Sequence, residues 1–303
     1  MNRDPALEDP AAGTSNESIE LLRAWIEAPG AWTVLVLGSV VVTALAGVGL
    51  WAILTWGSRE RPGSLPAPRW NGSDVALVFC FWLGLQFLAG SAASLWPLVW
   101  GEDGGPIAEL VRYALLMMVN LFTSVVILML PALRYRQGLE VYGLEARRAG
   151  PGLLLGLLSY AATIPALFVL MLVWVATLVS LNHAAEPQPA IAVFARLLEA
   201  RDIVGLALFV LLTVVGAPIL EECLFRGLLF RWLDHRLGAG LAMVISGLLF
   251  GAIHVHAIAV VPTAVLGMLL AFLYHRTNNL WLCVGFHALF NGGQLAIMVQ
   301  SAS

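Results

Sequence analysis

Eight long apolar stretches run through this chain of 303 residues, and they constrain its fold more than any motif does. They cover Trp32–Trp56, Asp74–Trp100, Tyr113–Leu133, Gly152–Leu181, Ile203–Phe230, Ala239–His256, Ala257–His275 and Leu280–Val299. A helix needs about 20 apolar residues to cross a hydrocarbon core of ~30 Å. The sixth and seventh stretches adjoin, and one helix of their joint length would overrun a bilayer. The break is therefore placed at His254-Val255-His256, ahead of Pro262. In lipid every backbone N–H and C=O must be paired within the protein, which leaves helices or closed barrels. Runs of this length select helices. The expected fold is an all-α, polytopic transmembrane bundle of about eight helices.

Composition agrees. Apolar residues make up 60% of the chain and charged residues 12%, with mean hydropathy +0.86, against about 45–50% and about 25% in soluble domains. All 16 basic residues are arginine and the formal net charge is −3. No broad basic surface results, so the expected partners are membrane lipids and not nucleic acid. Cys80, Cys223 and Cys283 lie far apart in apolar runs, without the spacing of a disulfide scaffold or a cysteine metal site.

Residues 1–30 form a polar tail carrying Asp4, Glu8, Asp9, Glu17, Glu20 and Glu27. The basic start and short apolar core of a cleavable signal peptide are missing, so the first apolar stretch is expected to remain as an anchor. Within the tail, Glu17–Glu27 reads equally as a short amphipathic surface helix or as a partly ordered segment. Behind the tail come N-terminal transmembrane helices over 31–200 and a second group over 201–300. Short cytoplasmic loops collect arginine. Arg59, Arg61 and Arg69, then Arg134, Arg136, Arg147 and Arg148, then Arg231 and Arg236 mark alternate loops as cytoplasmic. Glu102, Asp103 and Glu109, and the loop with Glu186, Arg196, Glu199, Arg201 and Asp202, then fall outside with both termini. The all-arginine, Ala- and Gly-rich chain with short loops reads as a bacterial inner-membrane protein.

A charge near the bilayer centre costs at least ~2.5 kcal/mol, so ionisable residues inside spans are functional candidates. Three clusters qualify: Glu221, Glu222 and Arg226 in the fifth span, His254 in the sixth, and His287 with Asn291 in the eighth. Helix neighbours at i and i+4 share a face, so Glu222 and Arg226 can pair, with the acid on the N-terminal side. Glu221 lies ~100° around the helix and is left as the freer base. His287 and Asn291 share a face in the same way. Counted from the span ends at ~1.5 Å per residue, Glu221 lies ~15 Å deep, His287 ~12 Å and His254 ~25 Å.

Peptide hydrolysis needs an activated water, donors for the oxyanion and a proton for the leaving amine. Glu221 with His254 can activate water, while His287 and the Asn291 amide can stabilise the oxyanion. Glu221, His254 and His287 could equally be three zinc ligands with an open position for water. The spacing leaves both readings open: no cofactor, or zinc. The remaining histidines, His183, His235, His256 and His275, read as loop or interface residues. Cys223 falls on the far helix face from Glu221.

The three clusters, EExxxR (Glu221, Glu222, Arg226), FxxxH (Phe250, His254) and HxxxN (His287, Asn291), resemble the three motifs of the CPBP family. That family takes in CAAX prenyl endopeptidases and bacteriocin-processing and immunity proteins, and is also called Abi. The likeness covers about Ile203 to Val299. It implies a helical intramembrane protease in which Glu221 and His254 activate water and motif three supplies the oxyanion donors. It also implies an open metal question, since the family has been described both as metalloprotease and as glutamate-type protease. A protein or peptide substrate in the membrane would follow. Two other classes compete: a non-catalytic membrane partner that binds a peptide for immunity or scaffolding, and a transporter using the carboxylates as relays. The lack of inverted repeats or Pro-broken half-helices around Glu221 argues against the transporter.

Overall fold

The computed structural model describes residues 30–57, 65–100, 105–183 and 189–302. Most of the tail segment Glu17–Glu27 and the loop charges Arg59, Arg61, Glu102, Asp103 and Glu186 lie outside these, as does the side chain of Glu109. Among the described residues there are helices and no strands. The helices are α1 Ala31–Gly57, α2 Gly72–Trp100, α3 Gly105–Tyr135, α4 Ala149–Ser180, α5 Pro189–Glu199, α6 Ile203–Leu237, α7 Ala239–Ala252, α8 Ala257–Thr277 and α9 Leu280–Ala302. Seven are long and apolar enough to cross a membrane, so the chain is a multi-pass helical membrane protein.

The sixth apolar stretch behaves differently from the others. Its helix, α7, has only 14 residues, a rise of ~21 Å that falls short of a ~30 Å core. The break before α8 lies at residues 253–256, where the joint length of the two stretches requires it. Residues 182–202, read from their charges as loop, contain the short amphipathic helix α5. Its apolar face, Val193, Phe194 and Leu197, packs on Phe209 of α6 beside Leu295 and Met298 of α9. Charges on the opposite face of one short helix hid that stripe.

α6 lies centrally, touching α2, α3, α5, α7, α8 and α9. The main apolar cluster draws on Leu54, Trp70, Ile127 and Tyr142 as well as Leu224, Phe250, Leu270 and Phe286. The 31–200 and 201–300 segments therefore share one core. The arginine-bearing end is closed by short connections folded under α6. Trp70 donates its indole N–H to the Leu228 carbonyl (3.1 Å) and stacks at 5.5 Å on Tyr142. Tyr142 donates to the Ile127 carbonyl (2.8 Å), and Tyr274 donates to Tyr142 (3.0 Å).

α4 is the strut of the bundle, packed on α1, α8 and most extensively on α9. Glycine permits that approach: a Cβ on Gly156 would lie 2.7 Å from the Leu282 carbonyl oxygen and 3.0 Å from the Phe286 nitrogen. At Gly49 a Cβ would meet Ala162 at an ordinary 3.5 Å. Gly156→Val is expected to lower stability by ~1–3 kcal/mol, as overpacking does, while Gly49→Ala is tolerated. Thermal melts of the two variants in detergent check the contrast.

Candidate active site

α6 is not a uniform α-helix. Wide π-helical turns at Leu211–Gly216 and Cys223–Phe230 flank the α-helical piece Ala217–Glu222 that carries both glutamates. Such turns gather at functional sites, and here Pro218 explains the first. Proline has no N–H and its ring clashes with the carbonyl four residues back, so the preceding turn widens. The Ala217 N–H goes to the Leu212 carbonyl. The Thr213 carbonyl thus loses its helical donor at 217 and finds proline at 218. The Asn291 side-chain amide fills that place, donating to the Thr213 carbonyl at 2.9 Å. Asn291 therefore ties α9 to the turn leading into Glu221, with its second amide N–H left over. Within the protein, His287 and Asn291 have different partners.

Glu222 and Arg226 are fully buried. Arg226 Nη1 donates to Glu222 Oε1 (3.0 Å) and Nη2 to the Gly267 carbonyl of α8 (3.2 Å), with the guanidinium 4.4 Å above the Phe250 ring. Gly247 and Gly267 bring α7 and α8 close enough for this, since a Cβ on Gly267 would lie 3.0 Å from the Gly247 Cα. His287, also buried, places Nδ1 2.9 Å from the same Glu222 oxygen. A carboxylate held by arginine only accepts, so His287 Nδ1 carries the hydrogen and Nε2 faces outward. Nε2 lies 3.8 Å from Glu221 Oε2, too long for a direct hydrogen bond.

Glu221 contrasts with its neighbour. Its side chain is 18% exposed against 0% for Glu222, and the arginine is on Glu222; in both carboxylates Oε2 is buried without a hydrogen-bond partner. The sequence geometry put the arginine on Glu222 and left Glu221 without it, and the side chains are placed that way.

His254 follows the end of α7, and its ring folds back one turn. Nδ1 lies 2.8 Å from the Phe250 carbonyl, an acceptor only, so this ring too holds its hydrogen on Nδ1 and offers Nε2. Phe250 stands between the imidazoles, its ring 5.2 Å from His254 and 5.7 Å from His287, and it also meets Phe225 at 5.1 Å. Its place in the FxxxH spacing was visible, but not its role as the aromatic wedge of the site.

The other histidines stay apart: His275 pairs with Asp234 (3.3 Å) at the arginine-bearing end, and His183 and His235 are exposed. Cys223 is buried. Among the described residues no three His, Cys, Asp or Glu side chains converge as metal ligands. Both imidazoles are engaged through Nδ1 and leave Nε2, the atom a metal would take, available.

The constellation sets a carboxylate inside the helical bundle facing an oriented imidazole, within the segment that the comparisons with known proteins match. Residues 203–293 match the family described as Type II CAAX prenyl endopeptidase Rce1-like. The chain is also 31% identical over 84 residues to the protein named "Putative membrane peptidase YdiL" of Bacillus subtilis, a match covering 28% of this chain and 34% of that relative. The chain thus spans about a third of the length of the curated relative it matches. No solved structure matches. The family match is confined to the segment that carries Glu221, His254 and His287.

The two glutamates should respond oppositely to neutralisation. Arg226→Met strands the Glu222 carboxylate and is expected to cost ~3–5 kcal/mol. Glu221→Gln removes a largely buried, unpaired charge and is expected to be neutral or stabilising. Melting of both variants in one detergent checks the sign of each change.

Proposed function

We propose that this chain is an intramembrane endopeptidase of the bacterial inner membrane, hydrolysing a peptide bond of a membrane-associated protein or peptide by Glu/His-activated water. The arginine-bearing end of the bundle lies in the cytoplasm, and residues 201–300 are its catalytic core. The observation that carries the reading is the Glu221 carboxylate. Its Oε2 is buried without a hydrogen-bond donor and faces the His287 Nε2 at 3.8 Å.

Glu221 takes a proton from water as the oxygen attacks the scissile carbonyl. His254, with Nε2 free, accepts a hydrogen bond from that water and orients it, and Glu221 passes the proton it took to the leaving amine as the C–N bond breaks. His287 serves the oxyanion when both ring nitrogens carry hydrogen, its Nδ1–H remaining on Glu222. The second N–H of Asn291 serves the same oxyanion. Glu222 and Arg226 touch no reacting atom in this scheme; they hold the His287 ring. Each proton-transfer or oxyanion group contributes about 10²–10⁴-fold in rate.

Glu221→Gln, His254→Ala and His287→Ala are each expected to lower cleavage about 10²-fold or more with the protein still folded. Unprocessed termini in membrane proteomes of cells carrying each variant identify the substrate, and purified protein acting on it gives the rate. Normal function of Glu221→Gln cells would replace the enzyme with a peptide-binding immunity or scaffolding protein.

A further inference from the structure

His254 sits on a turn that its own sequence does not stabilise. Val255 has φ of 45° and is 78% exposed, a left-handed conformation that a β-branched residue adopts only when its surroundings impose it. Within the turn, His254 N–H reaches the Gly251 carbonyl at 3.1 Å and Val255 N–H the Ala252 carbonyl at 3.3 Å. These bonds are local and cannot set where the turn stands relative to the rest of the site.

Trp174 of α4 supplies a tie from outside. Its indole N–H donates to the Ala257 carbonyl at 2.8 Å, across 83 positions of sequence. Ala257 opens α8, three residues after His254. The same α4 seats α9 through the close approach at Gly156, one turn before His287. One helix outside residues 203–293 thereby references both imidazole-bearing segments. We propose that Trp174 is a positioning residue for His254, holding the strained 253–256 turn so that the ring stays folded back on Phe250. This rests on the reading of His254 as part of a peptidase site.

The test uses the full chain in detergent, with two substitutions at Trp174: Phe, and the near-isosteric benzothienyl-alanine, which removes only the N–H. Nitrogen spectra of the histidine rings, assigned with His254→Ala, report the tautomer and hydrogen bond of each ring. Both variants are expected to lose the single Nδ1-bonded signal of His254 and keep that of His287. Processing that depends on Glu221 is expected to slow about tenfold in cells, as misplacement of a catalytic group does. An unchanged His254 signal in both variants overturns the proposal, as does equal change at His254 and His287, or a changed signal with undiminished processing. If Glu221→Gln itself leaves processing intact, the endopeptidase reading fails instead, and the ring spectra alone decide whether Trp174 holds the turn.

Discussion

A charge pair sealed in the centre of a lipid-embedded bundle governs this structure. Desolvating a carboxylate and a guanidinium costs several kcal/mol per ion, and only dense, well-placed partners offset it. Arg226 finds them in Glu222 of its own helix, the Gly267 carbonyl of α8 and the Phe250 ring of α7. Glu222 adds His287 of α9. Four helices are thus pinned at one point, because none of their polar groups has water to fall back on. Glycines at 247 and 267 are part of the same solution, since a wider α7–α8 spacing would leave the guanidinium without its carbonyl.

Adjacent carboxylates in one helix receive opposite treatment, and the proposed chemistry rests on that asymmetry. A step of ~100° per residue turns Glu222 into the packed interior and Glu221 toward the imidazole. Glu222 spends its charge on fixing the tautomer of His287. Glu221 is left without the arginine, with its Oε2 buried and lacking a hydrogen-bond partner. The wide turns on either side of 217–222 set the rotational phase of both residues, so Pro218 is linked to the chemistry through helix geometry.

What was legible in the sequence was what repeats locally. Spans follow from length and hydropathy, the Glu222–Arg226 pair from i, i+4 spacing, and the break near His254 from the length limit on a single span. Asn291 escaped because its partner is a backbone carbonyl freed by the Pro218 turn, a signal present in the sequence but read only once α9 is known to lie beside α6. α5 escaped because its charges masked an apolar stripe of three residues, Val193, Phe194 and Leu197. The fold-back of the His254 ring onto the Phe250 carbonyl escaped because rise per residue does not say which way a side chain turns. Trp174 gave no signal at all; its partner is a main-chain oxygen 83 positions away.

The chemistry-bearing residues all lie within the segment that resembles known peptidases, yet that segment does not hold its own geometry. α9 is seated by α4 through Gly156, the turn after α7 is tied to α4 by Trp174, and the end of α6 rests on Trp70 and Tyr142. These supports lie outside residues 203–293. A side chain needs a placement accurate to a fraction of an ångström for proton transfer, and rigid helices deliver that better than loops. The unmatched two-thirds of the chain can therefore diverge in sequence wherever it faces lipid, but not at the few contacts where it fixes the position of an imidazole or a carboxylate.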